Sequence, residues 1–408
     1  MNSIKIERKH VDLLISTGFI VAGLLGVVRT IFTQEVVWVS NGLGWDGVHY
    51  DRLLKLFTNS ANSPELAAFP FCGRIGTPWL LAHVFDNKIS FYQFNLAISV
   101  AFSISFLIVT APLWKGSIKA CTAAITIPSF LIFAPVKFVN FYPIYMDPPF
   151  MLLLTAALFW IIRDRYIYAS ALCLLAIPFR EAAFYILPLL VAFSLIRAEH
   201  KLRSMAVGLS TVSAGVAIKI LILQIASCEG PSQVSTAFWW LYRLLTDPTR
   251  FIDVLAAISL TIAPLIFLDK NEFLSTTLLK DKTNQFAATA IVYFGLLSAV
   301  GGSDITRIFY SFAPLYASIL IAAFSRLDSS GFFLACLGWL ITNHVINKYE
   351  QPISEWPNSD LSGFFSQFPD HAHPVIAIVI LGIWLILRAS HNFFSRLEHL
   401  LFNKEVKQ

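Results

Sequence analysis

Long apolar runs separated by short polar connections dominate the pattern of hydrophobic and polar positions along this chain. The runs Phe94 to Leu113, Met205 to Ala226 and Val375 to Leu387 each contain at most one charged residue. With their flanks, such runs reach about 20 residues, the length that a helix needs to cross the hydrocarbon core of a bilayer. The alternation of polar and apolar residues required by a transmembrane β-barrel is absent. The pattern therefore predicts an all-α, polytopic transmembrane helical bundle.

The apolar runs predict about 12 spans within a single transmembrane domain that covers residues 1–408. The spans are expected at residues 11–33, 91–113, 120–139, 148–162, 166–179, 182–197, 205–226, 251–268, 284–301, 308–325, 331–347 and 374–390. A further apolar segment, Ala67 to Phe85, is broken by Pro70, Arg74 and Pro78. We expect an interfacial or re-entrant helix there rather than a full span. No small-residue cleavage site follows the basic start of the chain, which predicts a retained first helix instead of a signal peptide.

Composition supports a membrane location. The 408 residues are 56% hydrophobic and 13% charged, about half the charged share of an average soluble domain, so the chain could not cover a water-facing surface. The net charge of +5 is ordinary for a membrane protein with basic cytoplasmic loops and gives no support for nucleic-acid binding. Cys72 and Cys228 fall in predicted outer loops, where the sequence allows a disulfide without specifying one.

The distribution of lysine and arginine predicts the orientation, because cytoplasmic loops collect positive charge. The basic residues that share one side of the predicted bundle are Lys5, Arg8, Lys9, Lys115, Lys119, Arg163, Arg165, Arg197, Lys201, Arg203, Lys270, Lys280, Lys282, Arg326, Arg388, Arg396, Lys404 and Lys407. Both termini are then cytoplasmic, with a first outer loop at 34–90, a last outer loop at 348–373 and a cytoplasmic tail at 391–408. The compact loops favour a bacterial inner (plasma) membrane over the endoplasmic reticulum.

Polar residues that packing alone does not explain collect in the predicted outer segments. The first outer loop contains the run Trp45-Asp46-Gly47-Val48-His49-Tyr50-Asp51. A carboxylate here can take a proton from an acceptor hydroxyl without a cofactor, and Trp45 can form an amphipathic wall at the interface. We predict Asp46 as the base, leaving Asp51 as the alternative, and Trp45, His49, Tyr50 and Asp51 as substrate-binding residues. An interfacial turn with an aromatic anchor accounts for the same residues equally well.

Two arginines with acidic neighbours lie in other outer segments. Arg180-Glu181 separates two spans with hardly any loop, and Asp304 precedes Arg307 in a glycine-rich turn. An arginine in either place is suited to holding a phosphate. Interfacial ion pairing, helix capping and snorkelling to the headgroups are the competing interpretations.

Arg74 and Asp147 complete the predicted substrate-binding residues. Arg74 is a single cation in an apolar stretch and needs a carboxylate, a phosphate or the interface; pairing with Asp46 or Asp51 would satisfy it. Asp147 begins a span in front of two prolines, where capping of the helix is the favoured interpretation.

The sequence contains no motif for ATP-driven transport, a zinc protease or a serine hydrolase. Asp370-His371-Ala372-His373 has residue types that bind metals, but prolines flank it on both sides, so no metal site is predicted. No cofactor is predicted, and the participation of a divalent cation is left open.

The order of these features resembles the GT-C superfamily of membrane glycosyltransferases, in particular the glycosylphosphatidylinositol mannosyltransferase-like group and its bacterial relatives. The resemblance covers roughly the first half of the chain. It is carried by Trp45 to Tyr50 after the first span, the Phe-Pro-rich segment Phe69 to Trp79, the acidic turn Met146-Asp147-Pro148 and the segment Arg180 to Pro188. The acidic turn reads Asp-Pro-Pro rather than Ser-Glu, and Glu181 stands where the group has proline, so the transferred sugar is left open.

The resemblance implies an inverting transfer of a sugar from a polyprenyl-phosphate donor to an acceptor hydroxyl on the extracytoplasmic face. Asp46 would activate the acceptor, while Arg180 or Arg307 would hold the lipid phosphate. The implied partners are the polyprenyl-phosphate-sugar, a glycan, lipid or protein acceptor, and membrane lipids. A multipass transporter or flippase and a polymerase or ligase of lipid-linked glycans are the alternatives. A transporter would be expected to carry paired charges near mid-membrane, whereas Lys219 lies within a predicted span but nearer its outer end.

Overall fold

The computed structural model describes residues 2–34, 36, 43–58, 67–68, 70–114, 116–131, 133–226, 228, 233–268, 278–300, 305–349 and 372–402. In these residues the fold is all-helical, as predicted. The helices are α1 (Asn2–Thr33), α2 (Gly44–Phe57), α3 (Gly76–His83), α4 (Phe91–Trp114), α5 (Ile118–Ser129), α6 (Pro135–Phe141), α7 (Asp147–Ile161), α8 (Tyr166–Ala176), α9 (Ala182–Arg197), α10 (Lys201–Ala226), α11 (Gln233–Thr246), α12 (Pro248–Ile262), α13 (Lys282–Val300), α14 (Ile305–Ser311), α15 (Ala313–Phe324), α16 (Ser329–Tyr349) and α17 (Ala372–Phe402).

Within the described part of the chain, five stretches of helix are long and apolar enough to cross a membrane by length and composition. They are Lys9–Thr33, Phe91–Trp114, Lys201–Ala226, Pro248–Phe267 and Lys282–Val300. Six shorter apolar helices coincide with other predicted spans: Asp147–Ile161, Tyr166–Ala176, Ala182–Arg197, Ala313–Phe324, Ser329–Thr342 and Ala377–Phe393. The helices therefore support a multipass membrane protein.

Prolines break two of the predicted spans. The run 120–139 was expected to be one helix, but α5 ends at Ser129 and α6 begins at Pro135. Proline cannot continue the hydrogen-bond ladder and pushes the residue before it into an extended conformation; Ala134 accordingly has ψ 125°. The run 308–325 is likewise divided between α14 and α15, where Pro314 lies in the first turn of the second helix.

Two other segments differ from the sequence prediction. Helix α11 lies between the predicted spans 205–226 and 251–268, where no helix was expected; its 14 residues are fewer than the about 20 that a span needs. The predicted tail 391–408 begins as a continuation of α17, which is helical as far as Phe402. Most of the predicted outer loop 348–373, with Asp370 and His371, lies outside the described residues.

The proline-rich segment 67–85 does not form one long helix, in agreement with the prediction. It contains a 3-10 helix, Phe71–Gly73, and the eight-residue α3, whose length of about 12 Å is far below the thickness of a bilayer. A disulfide joins Cys72 of this segment to Cys228 after α10, with the two Cα atoms 5.5 Å apart. The sequence had left this pairing open.

The bundle is built largely from helices that follow one another in the chain. α7 packs between α4 and α8, α8 packs against α9, and α15 lies against α5, α7 and α13. Aromatic rings fill the centre: Phe294 stacks on Phe312 with ring centroids 4.1 Å apart, and Phe150 meets Phe312 edge-on. This rigid centre fixes where the connecting segments at each end can meet.

Contacts between connecting segments fall into two groups at opposite helix ends. In one group, Lys119 pairs with Asp12 at 3.1 Å and donates to the Leu327 carbonyl at 2.6 Å. Lys282–Asp164 and His391–Asp328 belong to the same group. We call this the Lys119 end. The second group contains Asp46 and the remaining residues of the candidate site, and we call it the Asp46 end.

Candidate functional site

Helix α2 presents Asp46, His49 and Tyr50 on one face, because residues three and four apart lie together on a helix. Asp46 is in the first turn, where the helix dipole favours a negative charge. Asp51 is displaced from that face and pairs with Lys55 at 2.7 Å, a partner that is 56% exposed. Asp51 therefore does not join the other predicted site residues.

Asp46 forms an ion pair with Arg307, which lies in α14. A single contact of 3.3 Å joins Arg307 Nη2 to Asp46 Oδ2, and the side chains are 16% and 19% exposed, respectively. The N-terminal turn of α2 is anchored next to this pair, since the Gly47 N–H donates to the Tyr142 hydroxyl at 2.8 Å. A Cβ on Gly47 would lie 3.3 Å from Ile144, so the close approach favours glycine at this position.

Arg74 and Glu181 form a second pair, which is held more firmly. Arg74 donates through Nε and Nη2 to the two oxygens of Glu181 at 2.7 and 2.8 Å, and through Nη1 to the Tyr50 hydroxyl at 2.7 Å. Burial alone would raise the pKa of Glu181, but the charge and hydrogen bonds of Arg74 outweigh burial and lower that pKa to about 2. The carboxylate is therefore ionised throughout the physiological range.

Arg180 and Asp147 form a third pair, and they are almost completely buried at 2% and 3% exposure. Arg180 Nη1 donates to Asp147 Oδ1, and the guanidinium carbon lies 5.7 Å from the centre of the Phe150 ring. Two atoms of this pair, Arg180 Nε and Asp147 Oδ2, have no hydrogen-bond partner among the described residues.

Tyrosines connect the three pairs into one unit. Tyr50 lies within electrostatic range of Asp46 and Arg307 while its hydroxyl accepts from Arg74. Tyr145, between α6 and α7, lies within electrostatic range of Asp147, Arg180 and Arg307. We name this unit the ion-pair cluster; its members are Asp46–Arg307, Arg74–Glu181, Asp147–Arg180 and the linking residues Tyr50, Tyr142 and Tyr145.

The structure thus brings seven of the predicted site residues together and gives several of them unexpected partners. The seven are Asp46, Tyr50, Arg74, Asp147, Arg180, Glu181 and Arg307. The capping interpretation of Asp147 is wrong, because α7 has no side-chain cap and Asp147 binds Arg180 instead. Arg74 pairs with Glu181, not with Asp46 or Asp51.

The other predicted residues lie at the edge of the cluster or outside the described residues. His49 stacks on Phe71 with ring centroids 4.8 Å apart and accepts from the Ala68 N–H at 3.2 Å. Burial and the charge of Arg52 lower the pKa of His49, against the smaller opposite effect of Asp46. Trp45 lies in the first turn of α2, but its side chain lies outside the described residues, as does Asp304.

Sequence reasoning missed Tyr142, Tyr145 and the buried Lys137 of α6. The two tyrosines stand in the run Phe141-Tyr142-Pro143-Ile144-Tyr145 directly before the acidic turn. The only available signal was their proximity to that turn. Lys137 was placed inside a predicted span, where its charge was not considered.

The cluster contains three guanidinium groups and three carboxylates, so its formal charges balance. A phosphate approaching any of the guanidinium groups would meet the charge of its carboxylate, whereas a hydroxylated ligand can bind without separating any pair. Among the described residues, no three histidine, cysteine, aspartate or glutamate side chains are grouped so that they could hold a metal ion.

Comparisons with family models, curated proteins and solved structures give no match for this chain. The geometry of the ion-pair cluster is therefore the basis on which a function can be proposed.

Proposed function

We propose that this protein is an inverting membrane glycosyltransferase that moves a sugar from a polyprenyl-phosphate donor to an acceptor hydroxyl on the extracytoplasmic face. The observation that carries the proposal is the Asp46–Arg307 pair, in which a carboxylate and a guanidinium are joined by one 3.3 Å contact and remain partly exposed. A general base and a phosphate-binding cation are the two groups that this reaction needs.

In the proposed reaction the donor phosphate takes Arg307 away from Asp46. The acceptor oxygen attacks the anomeric carbon from the side opposite the phosphate, and the bond between that carbon and the phosphate oxygen breaks with its electron pair leaving on the phosphate. Asp46 accepts the acceptor's hydroxyl proton, while Arg307 stabilises the negative charge that develops on the leaving group. Phosphate is a good leaving group, so one carboxylate is sufficient and no general acid is required.

The other two pairs are less suited to this exchange. Arg74 is held by two hydrogen bonds to Glu181 and one to Tyr50, and such bidentate pairs are strong. Arg180 is 2% exposed and neutralised by Asp147, so an approaching phosphate would meet the charge of that carboxylate. We therefore assign the phosphate to Arg307 rather than to Arg180.

Two features support an arrangement in which both termini are cytoplasmic and the Asp46 end faces outward. The Lys119 end contains connections that are rich in lysine and arginine, as cytoplasmic loops are. The Cys72–Cys228 disulfide lies at the Asp46 end, and disulfides persist in oxidising, extracytoplasmic compartments. The apolar helices at the predicted positions support a multipass membrane protein, for which we propose about 12 spans in a GT-C-like arrangement.

The described ion pairs lie near helix ends rather than in the middle of the candidate spans. This distribution favours a transferase over a transporter, which would place paired charges near the centre of the membrane. A polymerase or ligase of lipid-linked glycans would share the outer arginines but would join preassembled chains. An assay for the transfer of one sugar from a lipid that carries a single monosaccharide distinguishes the transferase from a polymerase or ligase.

The test is sugar transfer from undecaprenyl-phosphate-linked monosaccharides to extracted membrane glycans, lipids and proteins in proteoliposomes. We expect Asp46→Asn to lower kcat by about 10²- to 10⁴-fold, the usual contribution of a general base. Asp51→Asn is the matched control because Asp51 lies on the same helix and pairs with the exposed Lys55; we expect it to retain wild-type transfer within about twofold. Full activity of Asp46→Asn would refute the proposed base, and movement of the intact lipid without transfer would favour a flippase.

A further inference from the structure

In the part of the ion-pair cluster formed by Tyr145, Asp147 and Arg180, three buried polar atoms have no hydrogen-bond partner among the described residues. They are the Tyr145 hydroxyl, Asp147 Oδ2 and Arg180 Nε. The residues that carry them are 1%, 3% and 2% exposed. Leaving a buried polar atom unsatisfied costs about 1–3 kcal/mol, so three of them in one place require a physical explanation.

The three atoms belong to side chains that interact with one another. Asp147 uses its other oxygen, Oδ1, to hold Arg180. Tyr145 precedes Asp147 by two residues and lies within electrostatic range of both charged groups. Its ring is fixed by an edge-to-face contact with Phe138, with centroids 4.8 Å apart. The unsatisfied donor and acceptor atoms therefore lie on neighbouring side chains that hold one another in place.

The chemistry of these atoms selects a particular type of ligand. Arg180 Nε can only donate and Asp147 Oδ2 can only accept, while the Tyr145 hydroxyl can do either. Burial first, and then the charge of Asp147, raises the pKa of Tyr145 well above its usual value, so this hydroxyl stays protonated. A ligand with adjacent hydroxyl groups fits, since each hydroxyl can donate to the carboxylate and accept from the tyrosine or the arginine. The phosphodiester of the donor does not fit, because its oxygens can only accept hydrogen bonds and Asp147 Oδ2 needs a donor.

We propose that Tyr145, Asp147 and Arg180 form the sugar-binding part of the site, where they recognise neighbouring hydroxyl groups of the donor's sugar ring. This inference rests on the proposed function and assigns Arg180 to the sugar instead of the phosphate. The arrangement agrees with the geometry of the donor, in which the sugar is attached directly to the phosphate. Tyr145 lies within electrostatic range of Arg307, so the two parts of the site are neighbours.

The test compares the binding of two lipids to the purified full-length protein in phosphatidylethanolamine–phosphatidylglycerol nanodiscs. One lipid is undecaprenyl phosphate; the other is the same lipid carrying glucose, mannose, galactose or N-acetylglucosamine. We expect the wild type to bind at least one sugar-bearing lipid more tightly than the bare phosphate. Tyr145→Phe should reduce that preference by roughly three- to tenfold, the effect of losing one neutral hydrogen bond, and leave the affinity for undecaprenyl phosphate unchanged.

Tyr310→Phe is the matched control, since Tyr310 is also a buried tyrosine of this region but its hydroxyl already donates to the Ile127 carbonyl. We expect this variant to keep the wild-type preference for the sugar. Asp147→Asn is less informative because it would leave the buried Arg180 without its counter-charge and destabilise the fold.

The outcomes separate the inference from the proposed function. If the wild type transfers sugar but Tyr145→Phe keeps the full preference, the three atoms are satisfied by water alone and the sugar-binding assignment is wrong. Equal binding of bare and sugar-bearing lipids by the wild type, or an equal loss of both in Tyr145→Phe, overturns it as well. If the wild type binds neither lipid and transfers no sugar, the proposed function fails and the inference falls with it.

Discussion

The three ion pairs of the cluster differ in how firmly each arginine is held. Arg74 makes two hydrogen bonds to Glu181 inside the protein, whereas Arg307 makes one longer contact with Asp46. Removing one partner of a buried pair costs about 3–5 kcal/mol, while an exposed pair contributes about 0–1 kcal/mol. The Arg74–Glu181 pair is therefore expected to hold the fold together, and the Asp46–Arg307 pair is expected to separate at a lower cost.

Glu181→Gln tests the structural role of the second pair. The substitution leaves Arg74 buried without a counter-charge, so we expect a loss of about 3–5 kcal/mol in the free energy of unfolding. The measurement is equilibrium unfolding in sodium dodecyl sulfate, followed by tryptophan fluorescence. Asp51→Asn is the control, because its pair with Lys55 is exposed and should contribute less than about 1 kcal/mol. If Glu181→Gln lowers the free energy of unfolding no more than Asp51→Asn does, the buried Arg74 does not need Glu181 as its counter-charge.

The Arg74–Glu181 pair predicts that the free energy of unfolding depends on pH. The pKa of Glu181 is about 2 in the folded protein, below the ordinary value of 4.5. Because the folded pKa is depressed, the stabilisation is fully present above about pH 4.5 and is lost as the pH falls towards 2. We expect the difference in unfolding free energy between the wild type and Glu181→Gln to stay constant from about pH 5 to 8 and to narrow below pH 4.5. A constant difference down to pH 3 would contradict the assignment.

At the scale of helices and connections, apolar runs and prolines were the informative signals. The runs located the apolar helices, and Pro135 and Pro314 account for the two helices that the runs failed to divide. The partners within the ion-pair cluster could not be predicted, because Arg307 and Asp46 are 261 residues apart and Arg74 and Glu181 are 107 apart. Charge and hydropathy patterns indicate that a buried arginine needs a partner, but several carboxylates satisfy that need equally well until the helices are packed.

The disulfide between Cys72 and Cys228 connects the segment that carries Arg74 to the end of α10. The protein then has three free thiols, Cys121, Cys173 and Cys336. We expect the denatured protein to accept three maleimide–polyethylene glycol tags before reduction and five after it. Cys72→Ser should expose Cys228 and give four tags under both conditions. Five tags before reduction of wild-type protein isolated under thiol-blocking conditions would rule out the disulfide.

Loss of this disulfide is also expected to lower the free energy of unfolding. It closes a separation of 156 residues, for which chain-entropy arguments give an upper value of about 5 kcal/mol; helices that stay in the membrane after unfolding lower that value. Cys72→Ser and Cys228→Ser should therefore destabilise the protein equally, and the double variant should be no worse than either single one. Cys121→Ser provides a control that leaves the disulfide intact.

At the scale of the whole molecule, the proposed function depends on the side of the membrane that the Asp46 end faces. A donor phosphate can reach Arg307 from the extracytoplasmic side only if the connections near Asp46 lie there, and the lysine-rich connections at the other end must then be cytoplasmic. Lys88, before α4, and Lys201, at the start of α10, are both exposed. They belong to connections that the proposed orientation places on opposite sides.

The variants Lys88→Cys and Lys201→Cys measure which side of the membrane each of the two connections faces. Both are introduced into a protein whose three free cysteines are replaced by alanine, with the Cys72–Cys228 disulfide retained. A maleimide that cannot cross membranes should label Lys88→Cys in intact cells and Lys201→Cys only after the membrane is permeabilised. Because both sites are exposed lysines in short connections, a difference in labelling reports sidedness rather than burial. The reverse pattern would place the ion-pair cluster on the cytoplasmic face, where a phosphate donor could still bind but transfer on the extracytoplasmic face could not occur.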